Sequence, residues 1–571
     1  MLRSLFFLMA ATAAWAQTPA ALFETHCAVC HNPTNTIGAP LPETLHAMTW
    51  QNVLMALENG KMKGIGDAMD PKQREAIAKF IGTAAATQQI VPAARCSGTA
   101  PALGAGVSGA WADAANTRFE SAKTSGLNET STPRLKLKWA FGFPGMTTAF
   151  GAPTVAGGRV FIGSADGMVY SLDAHTGCTY WSYTAAAGVR VAPVIGRPES
   201  GTEAYAWFGD LRGNVYALHA STGALVWKVH AEENPLGVIT GSLKLDRGQL
   251  YVPVSGRDES IAATNPSYEC CSFRGSVVAL DAASGTRIWT AYTIADTPRE
   301  TGQNAKGTKT WGPSGAVPWS APTLDLQKRV LYIGTGVNYS NPPTDTSDAV
   351  VAIDMKTGRL LWSRQFTQAD SWNFACVGKD KTNCPRLAFI DTDFGNSGIL
   401  RSLHGKRFLV ISDKGGTVYA IDPDREGRIL WKQKIAAGGV NGGTMWGGAS
   451  DERGVVYIGI SDFTAGKPET GGGLIALEMA TGRKLWSTPA PKPACIAIPG
   501  CSAAQPAPVT VTPGVAFLGS WDGHIRAYET RRGKIIWDFD TARTFETVNG
   551  VRARGGSITS TGAALSNGML Y

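Results

Sequence analysis

The sequence predicts a small all-α domain followed by an all-β propeller of eight blades, and three observations predict it. First, "THCAVCHNP" at residues 25–33 sets two cysteines two residues apart with a histidine directly after, among segments whose apolar residues have helical spacing. Second, a motif of strand, glycine turn and strand ending in tryptophan recurs: "SLDAHTGCTYW", "ALHASTGALVW", "ALDAASGTRIW", "AIDMKTGRLLW", "AIDPDREGRILW", "ALEMATGRKLW" and "AYETRRGKIIW". Third, "RLKLKWAFGF" matches the second half of such a motif and lies ahead of the first complete one.

The elements follow in chain order. "MLRSLFFLMAATAAWAQ" has one arginine before an apolar run and small residues at cleavage spacing, so residues 1–16 read as a secretory signal and the protein as periplasmic. No later stretch is long and apolar enough to span a bilayer. The formal charge of +8 is spread along 571 residues, with no basic block to argue for nucleic acid.

Residues 17–92 form the helical domain. "DPKQREAIAKFIG" offers Asp70 as a cap and Pro71 at the first helical position. Helices around Cys-x-x-Cys-His make a class I cytochrome c. Cys27 and Cys30 would form thioethers to haem c, and His31 would bind one axial iron position. Met62 in "NGKMKG" is the expected opposite ligand, with Met69 the alternative. A zinc site would need a second ligand pair, which His46 alone does not supply. A redox dithiol is the other reading of the two cysteines.

A linker spans 93–115. The remaining cysteines are even in number in an exported chain, so disulfides are expected. Proximity pairs Cys376 with Cys384 and Cys495 with Cys501. Cys270 and Cys271 are adjacent, and Cys96 and Cys178 would tie the linker to the second domain.

Residues 116–571 form the propeller. The motif tryptophans are Trp181, Trp227, Trp289, Trp362, Trp431, Trp486 and Trp537. Their spacing of roughly 50 to 70 residues leaves room for two further strands per unit, hence four-stranded blades. The tail with Trp139 would close the ring as part of an eighth blade, which the final "NGMLY" leaves cut short. Strand alternation puts all the glycine turns on one face. The opposite face receives the long segments "SGRDESIAATNPSYECCSFRG", "TPRETGQNAKGTKTWGPSGAVPW" and "GVNYSNPPTDTSD", which marks it as the functional face.

These motifs resemble the quinoprotein alcohol dehydrogenases, which use pyrroloquinoline quinone (PQQ) and Ca²⁺. "YECCSFRGSVVALD", "DSWNFAC", "DFGNSGIL", "GSWDGHIRAY" and "TVNGVRARGGSI", with a cytochrome at the front, are most similar to the cytochrome-containing polyvinyl alcohol dehydrogenases of that family. The resemblance implies that Trp319 stacks under the quinone and that Arg190, Thr240 and Lys414 meet its oxygens, with Arg274 and Trp446 as further contacts. It implies Asp258 or Glu259, together with Asn338, as Ca²⁺ ligands. It also implies a disulfide between Cys270 and Cys271 over the cofactor, although in a different blade from the methanol enzymes.

Two departures stand out. The position of the family's catalytic aspartate is Asn373, and an amide takes no proton at neutral pH, so Asp370 is the expected base. The family's amino-terminal glutamate contact has Phe150 and Gly151 in its place. The resemblance thus implies a periplasmic dehydrogenase that oxidises polymeric or small secondary alcohols. Electrons would pass to its own haem and then to an external cytochrome c. A non-enzymatic scaffolding propeller is the reading of another class.

Overall fold

The computed structural model describes residues 18–571 apart from 33–38, 47, 59–61, 83–93, 105, 110, 145, 147, 150, 200, 379, 386–390 and 496–499. The expected signal and Phe150 lie outside the described residues.

The amino-terminal domain is helical, with helices Pro19–His26, Pro42–His46, Trp50–Glu58, Lys63–Gly66 and Pro71–Ile81. Asp70 caps the last of these. Its carboxylate accepts the Gln73 N–H at 2.9 Å while Gln73 returns its carbonyl oxygen to the Asp70 N–H at 2.9 Å, so two orphan donors are satisfied at once. Leu22, Val53, Leu57, Ile65, Ile77 and Ile81 pack with Cys27 into one core.

The second domain is a ring of seven four-stranded antiparallel sheets. Their inner strands are Thr154–Ala156, Val194–Gly196, Lys244–Asp246, Thr323–Asp325, Ile399–Leu403, Ala449–Ser450 and Thr510–Thr512. The recurring tryptophan explains the ring. The Trp181 indole N–H donates to the Ala220 carbonyl of the next blade at 2.9 Å, Trp227 to Ala282 at 3.2 Å, and Trp486 to Thr530 at 2.9 Å. The turn glycine is the other half of the joint. Gly223 has φ of 76°, and a Cβ there would lie 2.6 Å from the Trp181 ring. Left-handed backbone and absence of a side chain are both required at that point.

The predicted eighth blade is not formed as a four-stranded sheet. Leu565–Ser566 and Met569–Leu570 make a two-stranded hairpin, and the segment around Trp139 has no ladder among the described residues. A fourth strand needs a third beside it to take its hydrogen bonds. Trp139 nevertheless keeps the joint, donating to the Ala174 carbonyl at 3.2 Å, and Trp537 donates to the Leu135 carbonyl at 3.2 Å.

Residues 107–120, expected to be mostly linker, thread the ring as a strap. Val107–Ser108 pairs with the inner strand of the first blade. The Ala114, Ala115, Thr117 and Arg118 carbonyls then accept from Leu324, Leu400, Ser450 and Val511 at 2.8, 3.0, 2.8 and 2.9 Å, so inner strands of four successive blades bond to one segment. Lys244 of the third blade donates to the Trp111 and Asp113 carbonyls at 2.7 and 2.6 Å and to Asn116 Oδ1 at 2.6 Å. The buried Arg118 guanidinium reaches the Gly448 carbonyl.

The long loops all emerge on the face predicted for them. One carries the helix Asp258–Thr264, another the hairpin Arg299–Gln303 with Lys309–Gly312. The cytochrome domain rests on this face. Helix Lys63–Gly66 packs on helix Asp258–Thr264, with a Cβ position at Gly64 3.1 Å from Ile261, and Arg212 donates to the Glu58 carbonyl at 3.1 Å.

Lys244→Met takes the lysine donor from three acceptors, one buried and two partly buried. It should lower propeller stability by about 3 kcal/mol, read as a drop in the melting temperature followed by circular dichroism. An unchanged melting temperature would show that the strap does not depend on this contact.

Candidate active site

On the loop-rich face Trp319 is held edge-on by Trp446, with ring centroids 5.0 Å apart and planes at 87°. The far end of the indole presses on Gly395, where a Cβ would sit 2.1 Å from the ring. Lys414 Nζ stands 5.1 Å from the Trp319 ring centroid, and the Arg190 guanidinium 4.5 Å from that of Trp446. Thr240 Oγ1 donates to the Trp319 carbonyl at 3.3 Å. Arg190, Thr240, Trp319 and Trp446 line one cavity together with Trp111 of the strap and Ser242. The structure therefore brings Arg190, Thr240, Trp319 and Trp446, which lie between positions 190 and 446, to one cavity, with Lys414 over the Trp319 ring.

Lys414 donates to both Asp391 oxygens, at 3.0 and 2.8 Å, and to Asp393 Oδ2 at 2.9 Å. Burial alone would lower its pKa, but the two carboxylates outweigh it and raise it above the ordinary lysine value. Burial, then repulsion from Asp393, pushes Asp391 up to about 7, with Lys414 opposing. Burial and Asp393 push Glu259 up to about 8. Arg190 is shifted down to about 10 by burial alone, and has no carboxylate partner among the described residues.

The other expected residues divide as follows. The Asp258 carboxylate is used by its own loop, accepting from Ser272 N at 2.9 Å, Phe273 N at 2.6 Å and the Tyr268 hydroxyl. Glu259 makes no such bond among the described residues and sits in the field of Asp393 and Lys414, so of the two it is the ligand-like carboxylate. Asn338 is buried, with Oδ1 accepting from Thr344 N at 2.8 Å and Nδ2 donating to the Ser314 carbonyl at 3.0 Å. Cys270 and Cys271 are bonded, as are Cys96–Cys178, Cys376–Cys384 and Cys495–Cys501. Asn373 Nδ2 lies 3.9 Å from Cys270 Sγ and donates to the Tyr339 and Asn383 carbonyls at 3.0 and 2.9 Å, while its oxygen caps Ala375 N at 2.9 Å. It is a joint of the loop.

Asp370 is fully buried, and its Oδ2 accepts from Thr392 Oγ1 at 3.4 Å. Thr392 lies between Asp391 and Asp393, both of which turn to Lys414. Asp370 thus meets the residue that lies between the two carboxylates holding Lys414. Arg274 does not line the Trp319 cavity. Its guanidinium donates to the Ile294 and Ala295 carbonyls, both at 3.1 Å, and lies 3.9 Å over Tyr292 beside a second cavity. The sequence reading does not single out Asp391 or Asp393. Their only signal is two carboxylates two residues apart, directly ahead of "FGNSGIL".

In the helical domain Cys27 and Cys30 are thiols outside any disulfide. Burial raises both, Cys27 to about 12 with a further push from Cys30, which argues against a redox dithiol. His31 Nδ1 lies 2.6 Å from the Pro40 carbonyl. A proton shared there puts the lone pair on Nε2, the tautomer and orientation an iron ligand needs. Met69 is buried in the helical core, whereas Met62 packs at its edge with its side chain partly exposed.

The donors fit the expected groups. A flat quinone with three carboxylates needs an aromatic floor and cations, and Trp319, Arg190, Lys414 and Thr240 supply them. The Trp319 indole nitrogen is buried without a partner, a further polar atom for a ligand to satisfy. Calcium fits more narrowly. It takes 6–8 oxygens in all, yet no group of three or more acidic, histidine or cysteine side chains is arranged for a metal among the described residues. Glu259 and Asn338 would hold it only in company with oxygens of the quinone.

A family model described as the glucose/ethanol/alcohol dehydrogenase β-propeller domain matches residues 108–396. One described as outer membrane protein assembly factor BamB matches 414–566, and one described as cytochrome c oxidase, cbb3-type, subunit III matches 14–81. The chain is similar to a polyvinylalcohol dehydrogenase of Pseudomonas sp., 37% identical with 97% of this chain and 89% of that one covered. It is 36% identical to the polyvinylalcohol dehydrogenase of Sphingopyxis sp. (strain 113P3), with 96% and 88% covered. Among solved structures, the quinohemoprotein alcohol dehydrogenase of Comamonas testosteroni shares the fold, with a TM-score of 0.58 at 18% identity over 80% of this chain and 74% of that one.

Arg190→Met removes a buried cation that lacks a protein counter-ion. The cofactor-free variant should melt no lower than the parent, while its affinity for PQQ, titrated by quenching of tryptophan fluorescence, falls about tenfold or more. Unchanged affinity would refute a role in anion binding.

Proposed function

This chain belongs to the polyvinyl alcohol dehydrogenase family of PQQ-dependent propellers, and we propose that it oxidises secondary hydroxyl groups, those of polyvinyl alcohol foremost, to ketones. The observation that carries this reading is Lys414, fixed by two carboxylates over the face of Trp319, with Arg190, which has no carboxylate partner among the described residues, over Trp446 in the cavity that Trp319 lines.

When bound, PQQ with Ca²⁺ supplies the two-electron oxidant, and haem c takes its electrons on singly. The chain's own residues do the rest. Trp319 and Trp446 shape the slot. Arg190 and Thr240 bind carboxylates, and Glu259 with Asn338 offers oxygens to the calcium. Lys414 keeps its proton and stabilises negative charge that grows beside it. Asp391 takes the hydroxyl proton of the alcohol. It is buried and bonded to Lys414, whereas the Asp370 carboxylate accepts from the Thr392 hydroxyl.

Cys27, Cys30, His31 and Met62 hold the haem, in a domain taken as 17–92 after a signal over 1–16. The propeller is taken to begin within the strap, inside the 93–115 linker of the sequence reading, and Trp139 supports a partial eighth blade at the seam. The cytochrome contact falls on the helix that carries Glu259, so the fused acceptor is held at high effective concentration beside the donor. An external periplasmic cytochrome c would take the electrons onward. A scaffolding role needs neither the haem domain nor the buried cation pair.

The test is haem reduction driven by alcohol in protein loaded with PQQ and Ca²⁺, read from the absorption spectrum. Asp391→Asn should slow it at least a hundredfold, and Asp370→Asn less than tenfold. The reverse order would make Asp370 the base. No reduction with any secondary alcohol would refute the function.

A further inference from the structure

We propose that the cavity beside Arg274 is a binding groove for the polymer chain, distinct from the chamber in which a hydroxyl group is oxidised. This rests on the reading of the substrate as a hydroxyl-bearing polymer.

The cavity holds about 560 Å³, within the range that seats a ligand of several repeat units. Besides Glu232, Glu233 and Tyr292, its lining comes from the loop Tyr268–Arg274 and from Trp311 of the hairpin Arg299–Gln303 with Lys309–Gly312. Loop and hairpin are tied together by main-chain bonds, Trp311 N to the Cys270 carbonyl at 2.8 Å and Cys271 N to the Trp311 carbonyl at 3.1 Å. The lining alternates flat apolar faces with polar edges. Trp311 donates its indole N–H to Glu269 at 3.0 Å, and the Tyr292 hydroxyl donates to Glu232 at 3.2 Å under the Arg274 guanidinium.

A polymer of alternating CH₂ and CHOH groups presents the same two chemistries along its length. Its methylenes pack on ring faces, and its hydroxyls donate to carboxylates and accept from a guanidinium. The groove and the chamber are the two sides of one loop. Tyr268 lines the groove while its hydroxyl donates to Asp258, the neighbour of Glu259. Cys270, in the same loop, lies against Asn373. A chain seated in the groove is therefore anchored one loop away from the reacting hydroxyl. A small alcohol would use the chamber alone.

The full chain loaded with PQQ and Ca²⁺ is assayed with polyvinyl alcohol and with 2,4-pentanediol, as the parent, Trp311→Ala and Trp311→Phe. Loss of one aromatic face should raise KM for the polymer about tenfold, leave KM and kcat for the diol unchanged, and be largely rescued by Phe. The cofactor-free full chain is titrated with a vinyl alcohol oligomer by calorimetry, where Trp311→Ala should weaken binding by the same factor. Equal loss on both substrates, or no change on the polymer, overturns the groove. If the parent oxidises neither substrate, the proposed function falls, and calorimetry still decides the groove: oligomer binding that depends on Trp311 supports it, and no such binding overturns it.

Discussion

The inner strands of a ring of sheets carry peptide groups that face no further strand, and the molecule is organised around satisfying them. Residues 107–120 do so by lending carbonyls to the inner strands of four successive blades. Buried peptide groups without partners are costly enough that this strap and the ring require one another. Lys244 fixes the strap through Trp111, and Trp111 lines the Trp319 cavity. The segment that fills the channel is thus also a wall of the chamber, and the chamber faces the side where the long loops are.

Charge in that chamber is divided between two ends. At one end Asp391 and Asp393 share the Lys414 ammonium with Glu259 in their field, and Asp391 and Glu259 are raised toward neutrality. Glu259 is raised although it stands in the first turn of a helix, where exposed N–H groups favour an anion. Burial and mutual repulsion dominate there, an excess that a divalent cation relieves. At the other end Arg190 has the opposite deficit, a cation without a protein anion. A ligand with carboxylates at one edge, bound alongside a hard metal ion, resolves both, and neither deficit would be tolerated in a propeller that only packs.

What the sequence made legible was local. The tryptophan and its glycine lie in one motif because the joint between blades is built from adjacent strands, so seven blades and the loop-rich face could be counted. Trp319, Arg190, Thr240, Lys414 and Trp446 were singled out by their likeness to family positions, and the structure sets four of them around one cavity, with Lys414 over the Trp319 ring. The strap was hidden because its partners lie up to several hundred positions away and it has no periodicity. Asp391 and Asp393 were hidden for a related reason: a carboxylate is recognised as part of a site only when its cation, more than twenty positions on, is seen beside it. The eighth blade is legible only in part: Trp139 keeps the joint between blades, and the hairpin of Leu565–Ser566 and Met569–Leu570 stands where a four-stranded sheet was expected.

The loop between strands two and three of the third blade is where these constraints meet. Asp258 spends its carboxylate on closing that loop, which frees Glu259 to turn toward Lys414. The bonded Cys270–Cys271 pair lies against Asn373. The helix that starts at Asp258 presents Ile261 to the cytochrome domain. An insertion serving only one of these contacts would tolerate drift in the others. Because one loop serves them all, moving any one shifts the rest, and the amide at position 373, fixed by three hydrogen bonds, holds the neighbouring segment to it.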